Sequence, residues 1–270
     1  MSILNSIIEY KQKEVEKLKA EHPISQQRYD FENCSNNFPS NVKKSGISII
    51  AEVKRKSPSA GNLKKNFNPV IIAEMYKKSG ADAVSVLTDK KFFGGDNSHL
   101  SSIKNKIKIP VLRKDFIIDP YQVYESKIIG ADCILLIAGI LEKNMLKDLI
   151  TITGELGMAG LIEVHSEKEI GKSLKCGAEI IGVNNRDLST FKVNIEKSLQ
   201  LGRMIPDNIM KISESGIRTA SQINKLYEAG FDGVLIGEAF MKASDPGKLI
   251  QNWKQICRSE NSPITKSYFL

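Results

Sequence analysis

Apolar residues in this chain come in short unbroken runs, and four of the runs share one build. They are GADAVSVL from Gly80, GADCILLI from Gly130, GAEIIGV from Gly177 and GFDGVLIG from Gly230. Each opens with a glycine of the kind that ends a helix, turns through an acidic position and then stays apolar. A run without polar alternation is the pattern of a strand buried on both faces, as in a parallel sheet. The four glycines stand about 50 residues apart, roughly twice the length of one strand–helix unit. A second strand therefore belongs inside each interval, and the sequence has the candidates: Ile49–Lys54, Ile109–Lys114, Gly160–Val164 and Ile209–Glu214. Four and four make eight, which predicts an α/β fold, a single (βα)8 TIM barrel.

The segments between the strands carry helix signals. Asn68 followed by Pro69 marks the start of one helix over Pro69–Lys78, and Thr219–Ala229 reads as another. Outside the repeat, residues 3–20 set Ile3, Leu4, Ile7, Ile8, Val15 and Leu18 among many charges, an amphipathic helix. From His22 to about Ser45 the chain turns polar and irregular, with Pro23, Pro39 and several asparagines. The expected organisation is an N-terminal helical extension over 1–45, a catalytic barrel over 46–257 and a polar tail over 258–270. The extension could cap one end of the barrel or simply cover apolar surface.

Composition narrows the class. The 270 residues suit one barrel of about 250 residues plus an extension. No apolar run approaches the roughly 20 residues that cross a bilayer, and MSILNSIIEYKQKEVEKLK lacks the continuous apolar segment of a secretory signal. A cytoplasmic protein without a membrane partner is expected. Cys34, Cys133, Cys176 and Cys257 form no C-x-x-C pair, and Cys133 reads as a buried thiol inside a strand. His22, His99 and His165 lie far apart, without zinc-ligand spacing. Neither a metal nor a cofactor is expected. The net charge of +8 raises nucleic acid as a partner, but the lysines are dispersed in pairs among acids and interleave with no aromatics. Solvated helix faces account for most of the excess, and a field that draws in a polyanionic small substrate accounts for it functionally.

The in-between strands end in charge: Glu52 and Lys54, Lys114, Glu163, and Glu214. Barrel active sites lie at the C-terminal strand ends, where several strands converge. Glu52 and Lys54 share one face of the first strand, and two charges facing a barrel interior are costly unless they serve the rim. The loop that follows, KRKSPSAG, is basic and hydroxyl-rich, and Ser57 is its candidate substrate ligand. Lys114, desolvated or set among cations, could have its pKa lowered enough to act as a general acid or form a Schiff base; a structural ion pair with Asp115 or a glutamate is the alternative. Glu163 has apolar neighbours on both sides and calls for a lysine partner across the rim. SESGI after the seventh strand and LIGEA at the eighth resemble a phosphate cradle, which these barrels build there from backbone N–H groups. Asn184 and Arg186 in NNRDL suit a polyol or a carboxylate. Phe93 in FFGG and Phe116 offer an aromatic wall or loop anchors.

The ordered motifs IIAEVKRKSPSAG, VLRKDFI, LIEVH, GVNNRDL, SESGI and LIGEAFM resemble those of the indole-3-glycerol phosphate synthase family of tryptophan biosynthesis, over essentially residues 3–257. The resemblance implies a carboxy-lyase that closes the indole ring of 1-(2-carboxyphenylamino)-1-deoxyribulose 5-phosphate with loss of CO2 and water. By the resemblance Lys114 is the general acid and Glu163 the general base, with Glu52 and Lys54 assisting. Lys54, Ser215, Gly216, Gly237 and Glu238 hold the phosphate, the last three through main-chain N–H groups. Asn184, Arg186, Glu214 and Ser215 line the pocket, and Phe93 and Phe116 pack on the anthranilate ring. One departure stands out: Glu238 occupies a place where some members carry a small Ser, and its carboxylate would repel a phosphate unless it points away. The expected partner is a small phosphorylated substrate, and the protein is expected to be monofunctional, a monomer or a weak homodimer. Two rival functions fit the same barrel: a Schiff-base aldolase using Lys114, and a non-catalytic nucleic-acid binder.

Overall fold

The computed structural model describes residues 3–24, 38–43, 46–57, 61–64, 66–187 and 190–259. Eight parallel strands close a barrel: β1 (Ser48–Val53), β2 (Ala83–Leu87), β3 (Val111–Lys114), β4 (Cys133–Ile137), β5 (Ala159–Val164), β6 (Ile180–Asn184), β7 (Met210–Glu214) and β8 (Gly233–Ile236). Each strand pairs with the next, and β8 pairs with β1 through Ser48–Ala51. All eight expected strands are present. Strand β3 starts after Pro110, which has no N–H to give to a ladder, and β1 ends one residue before Lys54. A two-stranded antiparallel ribbon, Lys56–Ser57 with Gly61–Asn62, folds the loop after β1; its tip, Pro58 to Ala60, lies outside the described residues.

The repeat has a structural cause. Gly80, Gly130, Gly177 and Gly230 all adopt left-handed φ, between 83° and 95°, the conformation that stops a helix at little cost only for glycine. The acid two residues on then reaches back to the preceding strand. Asp82 accepts from the Ile49 amide, Asp132 from the Val111 amide and Asp232 from the Lys211 amide, each at 2.8 Å. Lys254 and Lys104 pair with the first two. Glu179, in the remaining unit, is exposed.

Because side chains alternate along a strand, the interior is layered. Ile50, Leu112, Leu161 and Ile212, from the odd strands, are fully or nearly fully buried in the barrel core. Two residues further along the same strands stand Glu52, Lys114, Glu163 and Glu214. The charged layer is thus one tier of four from alternate strands, the stacking such barrels use for apolar side chains. Ala51, Val53, Val84, Val86, Ile134 and Leu136 face outward into the larger core beneath the helices. Asn68 caps the helix Pro69–Lys78 by accepting from the Val70 and Ile71 amides, and Thr219 caps Ala220–Glu228 with a full capping box.

The extension covers both ends of the barrel. The helix Ile3–Glu21 buries Ile7, Lys11 and Val15, so the centre of its inward stripe is a lysine. The stretch expected to be irregular holds a short helix, Phe38–Val42, whose Phe38 and Val42 are fully buried among interior residues such as Ile50 and Ile212. Ser48 Oγ fixes this plug by donating to the Val42 carbonyl at 2.7 Å. Residues 25–37, with Cys34, lie outside the described part. The last barrel helix, Pro246–Ser259, runs two residues past the expected boundary at Cys257, and the rest of the tail lies outside. Cys133 and Cys176 are buried free thiols. Among the described residues no helix is long and apolar enough to cross a membrane.

Candidate active site

A cavity of about 640 Å³ opens at the C-terminal ends of the strands. Thirteen of the fourteen residues singled out from sequence line it: Glu52, Lys54, Ser57, Phe93, Lys114, Phe116, Glu163, Asn184, Arg186, Ser215, Gly216, Gly237 and Glu238. Glu214, the fourteenth, is 1% exposed and lies beneath the floor. Lys114 Nζ sits between two carboxylates, 3.6 Å from Glu163 Oε2 and 3.5 Å from Glu214 Oε2. Lys54 Nζ holds Glu52 Oε1 at 2.5 Å.

These distances set the protonation states. Burial alone would lower the pKa of Lys114, but Glu214, Glu163 and Glu52 outweigh it and raise the value above that of an ordinary lysine. This corrects the expectation of a lowered pKa: three carboxylates, not neighbouring cations, surround the ammonium. Burial opposes ionisation of Glu52 as well, yet Lys54 and Lys114 carry it below the usual carboxylate range. Glu214 goes the other way. Burial pushes it up to about 7 against the pull of Lys114, with Glu163 and Glu52 adding repulsion. Gly182 makes room for it, since a Cβ there would strike Glu214 Oε1.

The expected cradle is shaped by backbone rather than by charge. Ser215 and Gly216 both take left-handed φ, 66° and 79°. Asn185 locks this bend, donating from Nδ2 to the Ser215 carbonyl at 3.0 Å and to Ser213 Oγ at 3.1 Å. A Cβ on Gly216 would collide with Val193 Cγ1, and one on Gly237 with Glu52 Oε1. Gly237 opens the short helix Glu238–Lys242, whose first amides have no intrahelical acceptor. The Glu238 carboxylate is engaged: Lys242 Nζ lies 2.6 Å from Oε1 and Arg186 Nη2 3.6 Å from Oε2. The Lys242 hydrogen bond, with both cations, holds it below the usual carboxylate range.

Phe93 and Phe116 face each other with centroids 6.0 Å apart, while Phe92 turns away to pack edge-on against Tyr10 of the first helix. Behind this wall lies a buried network that the sequence did not announce. Lys11 Nζ is 3.2 Å from Asp89 Oδ2, 3.0 Å from Asp115 Oδ1 and 2.5 Å from Glu14 Oε2. Asp115 therefore pairs with Lys11, with Arg113 at 3.4 Å and with Thr88 at 2.5 Å, not with Lys114. Asp89 caps the helix that carries Phe93, and Asp115 accepts from the Phe116 amide. Phe191, Val193, Arg218 and Lys242 also line the cavity unforeseen; Lys242, one helical turn past Glu238, was the one with a spacing signal. Among the described residues no group of three His, Cys, Asp or Glu side chains could hold a metal ion.

A family model described as indole-3-glycerol phosphate synthase matches residues 4–253. The chain is 47% identical over 233 residues to a protein of that name from Lachnoclostridium phytofermentans, covering 86% of this chain and 83% of the relative. It is 42% identical to the one from Carboxydothermus hydrogenoformans, covering 92% and 98%. Among solved structures it is similar to 3-hexulose-6-phosphate synthase from Salmonella typhimurium, with a TM-score of 0.65, 14% identity and coverage of 79% and 99%. It also resembles thiamine phosphate pyrophosphorylase from Pyrococcus furiosus, with a TM-score of 0.59, 15% identity and coverage of 78% and 96%. At such identities these two speak for the barrel alone.

Proposed function

The chain belongs to the indole-3-glycerol phosphate synthase family, and from that premise we propose how its own side chains carry out the ring closure of 1-(2-carboxyphenylamino)-1-deoxyribulose 5-phosphate. The Lys114 ammonium protonates the ketose carbonyl oxygen as the carboxylate-bearing ring carbon attacks the carbonyl carbon. The new C–C bond forms, CO2 leaves and its bonding electrons restore the ring. Glu163 then takes a proton from the methylene carbon next to nitrogen while the hydroxyl departs as water, protonated by a rim lysine, Lys54 or Lys114. Two protons go to oxygen and one comes from carbon.

The placement of Lys114 between Glu163 and Glu214 at the cavity floor carries this reading. It keeps the amine charged, as an acid must be, and sets the base 3.6 Å away. The amides of Gly216, Gly237 and Glu238, with Ser215 and Lys54, hold the phosphate. Arg186 and Asn184 take the carboxylate, and the Phe93–Phe116 pair takes the aromatic ring. The engagement of Glu238 by Lys242 and Arg186 offsets its charge beside the phosphate. A Schiff base at Lys114 would need a neutral amine, which its surroundings oppose. The biosynthetic role of the family supports a cytoplasmic location.

The test is incubation with the substrate, following indole absorbance and fluorescence. A rise that disappears in Lys114→Ala, with the circular dichroism spectrum unchanged, is the expected result. Near-normal turnover in that variant would remove Lys114 from the acid role, and a borohydride-trapped adduct with a ketose phosphate would favour the aldolase.

A further inference from the structure

The proposed ring closure takes up a proton. A carboxylate enters and neutral CO2 leaves, so of the two protons given to oxygen only one is recovered from carbon. The other must come from solvent while the substrate fills the cavity above Lys114.

One titratable side chain beside the site has no part in the steps above. His165 lies two residues past Glu163, just beyond the end of β5. Its Nε2 is 3.5 Å from Glu163 Oε1 and its Nδ1 is 3.6 Å from Glu169 Oε2. Nε2 is buried and makes no hydrogen bond with the described residues. The other Glu163 oxygen, Oε2, is the one facing Lys114 at 3.6 Å. Four groups therefore stand in file: Glu169, His165, Glu163 and Lys114. Side-chain exposure grows outward along it, from 3% at Glu163 through 15% at His165 to 21% at Glu169. His165 and Glu169 are not among the cavity-lining residues, so a bound substrate would leave them open. The file is held rigidly, since Glu169 Oε2 also accepts from the His165 amide at 2.7 Å. Ser166 caps the helix Glu167–Lys175 that carries Glu169.

We propose that Glu169 and His165 form the path by which the consumed proton reaches Glu163 and then Lys114. It rests on the ring-closure reading. The His165 imidazolium gives its Nε2 proton to Glu163 Oε1 as Glu163 passes one from Oε2 to the neutral Lys114 amine. Burial opposes ionisation of Glu169, but His165 and Ser166 carry it below the usual carboxylate range, so it faces Nδ1 as a carboxylate. The imidazole regains its second proton from solvent by way of that carboxylate between turnovers. Three charged groups face the ring: Glu163 on its own strand, Glu169 on the following helix and Lys197 on the helix Glu196–Gly202. Burial and Lys197 oppose the imidazolium, while the Glu169 and Glu163 carboxylates favour it and prevail. His165 acts through Glu163 and is not itself a catalytic residue.

The experiment compares the full-length protein with His165→Gln and Glu169→Gln. A glutamine at 165 keeps an amide N–H near Glu163 but cannot pass a proton on. The expected result for His165→Gln is a kcat about tenfold lower or less, with KM within about twofold of wild type. Added imidazole should restore turnover in proportion to its protonated fraction between pH 5 and 8, about its pKa near neutrality. Glu169→Gln should lower kcat in the same direction, and it stands in if His165→Gln does not fold. Wild-type kcat in both variants, or a loss confined to KM and melting temperature that imidazole does not relieve, overturns the path. An inactive wild-type protein would sink the ring-closure reading itself, a separate outcome.

Discussion

Lys11→Met would remove the one cation that the first helix buries against the barrel. Methionine matches the lysine stem in length, so the packing of Ile7 and Val15 on either side is preserved and the lost ammonium is isolated. Breaking a buried pair by deleting one partner costs roughly 3–5 kcal/mol, because the other charge stays behind. Two buried carboxylates are left here, but not equally; Glu14, the third partner, is partly exposed. Asp115 keeps Arg113 at 3.4 Å, Thr88 at 2.5 Å and the Phe116 amide at 2.8 Å. Asp89 Oδ1 keeps the Phe92 and Phe93 amides, whereas its buried Oδ2 has no hydrogen bond and loses its ion pair with Lys11. The lower end of the range follows, about 3 kcal/mol. At about 2–4 °C per kcal/mol for a domain approaching this size, that is a fall in Tm of roughly 6–12 °C. Urea unfolding and thermal circular dichroism near pH 7 would measure both. Adding Asp89→Asn should recover about 1–2 kcal/mol, a coupling read from the double-mutant cycle. The pH dependence carries a sign of its own. Lys11 is raised, against burial, by Asp115, Asp89 and Glu14, so its contribution is complete below its unfolded value, about 10.4, and lost as pH rises through the folded one. Asp115 is lowered, against burial, by Lys11 and Arg113, so its contribution is present above about 3.9 and lost as pH falls through its folded value. The difference between wild type and variant should therefore be flat from about pH 5 to 9 and shrink in acid. A loss under about 1 kcal/mol, or no coupling to Asp89, would refute the view that this ammonium ties the extension to the barrel.

Two further substitutions test the site. Ser215→Asp places a charge beside the proposed phosphate at a position whose φ of 66° an aspartate adopts readily. At an effective dielectric constant near 20, like charges about 4 Å apart repel by about 4 kcal/mol, so KM should rise at least tenfold with the fold intact; an unchanged KM would dismiss the cradle. Glu214→Gln addresses the carboxyl raised to about 7. Such a group's contribution is complete below its unfolded pKa, about 4.3, and lost as pH rises through the folded one. Wild type should thus lose up to about 3 kcal/mol between about pH 5 and 8, a slope absent from the variant, and parallel Tm–pH curves would contradict the assignment.

The barrel was legible because its signals are local. The helix-stopping glycines, the acids that cap neighbouring strands and the uninterrupted apolar runs are each settled within one strand–helix unit, and they repeat. The charged tier was legible for a related reason. A carboxylate or ammonium inside a run such as Leu161-Ile162-Glu163-Val164 breaks the apolar pattern, and closure of the sheet brings every such break to one rim. What stayed hidden depends on partners that no local pattern names. Lys11 occupies the centre of an amphipathic stripe and looks in sequence like a solvated lysine among others; its partners Asp89 and Asp115 arrive from loops after two different strands. The sign of the shift on Lys114 was missed for the same reason, since desolvation is visible in the apolar run before it but the three surrounding carboxylates come from three other strands. His165 shows the limit most plainly. Its spacing from Glu163 is readable, but only the fold makes it the half-buried imidazole beside the base, aligned with a carboxylate from the next helix. Sequence can thus name the groups gathered at a barrel rim, whereas the charge each carries there is a property of the assembled ring.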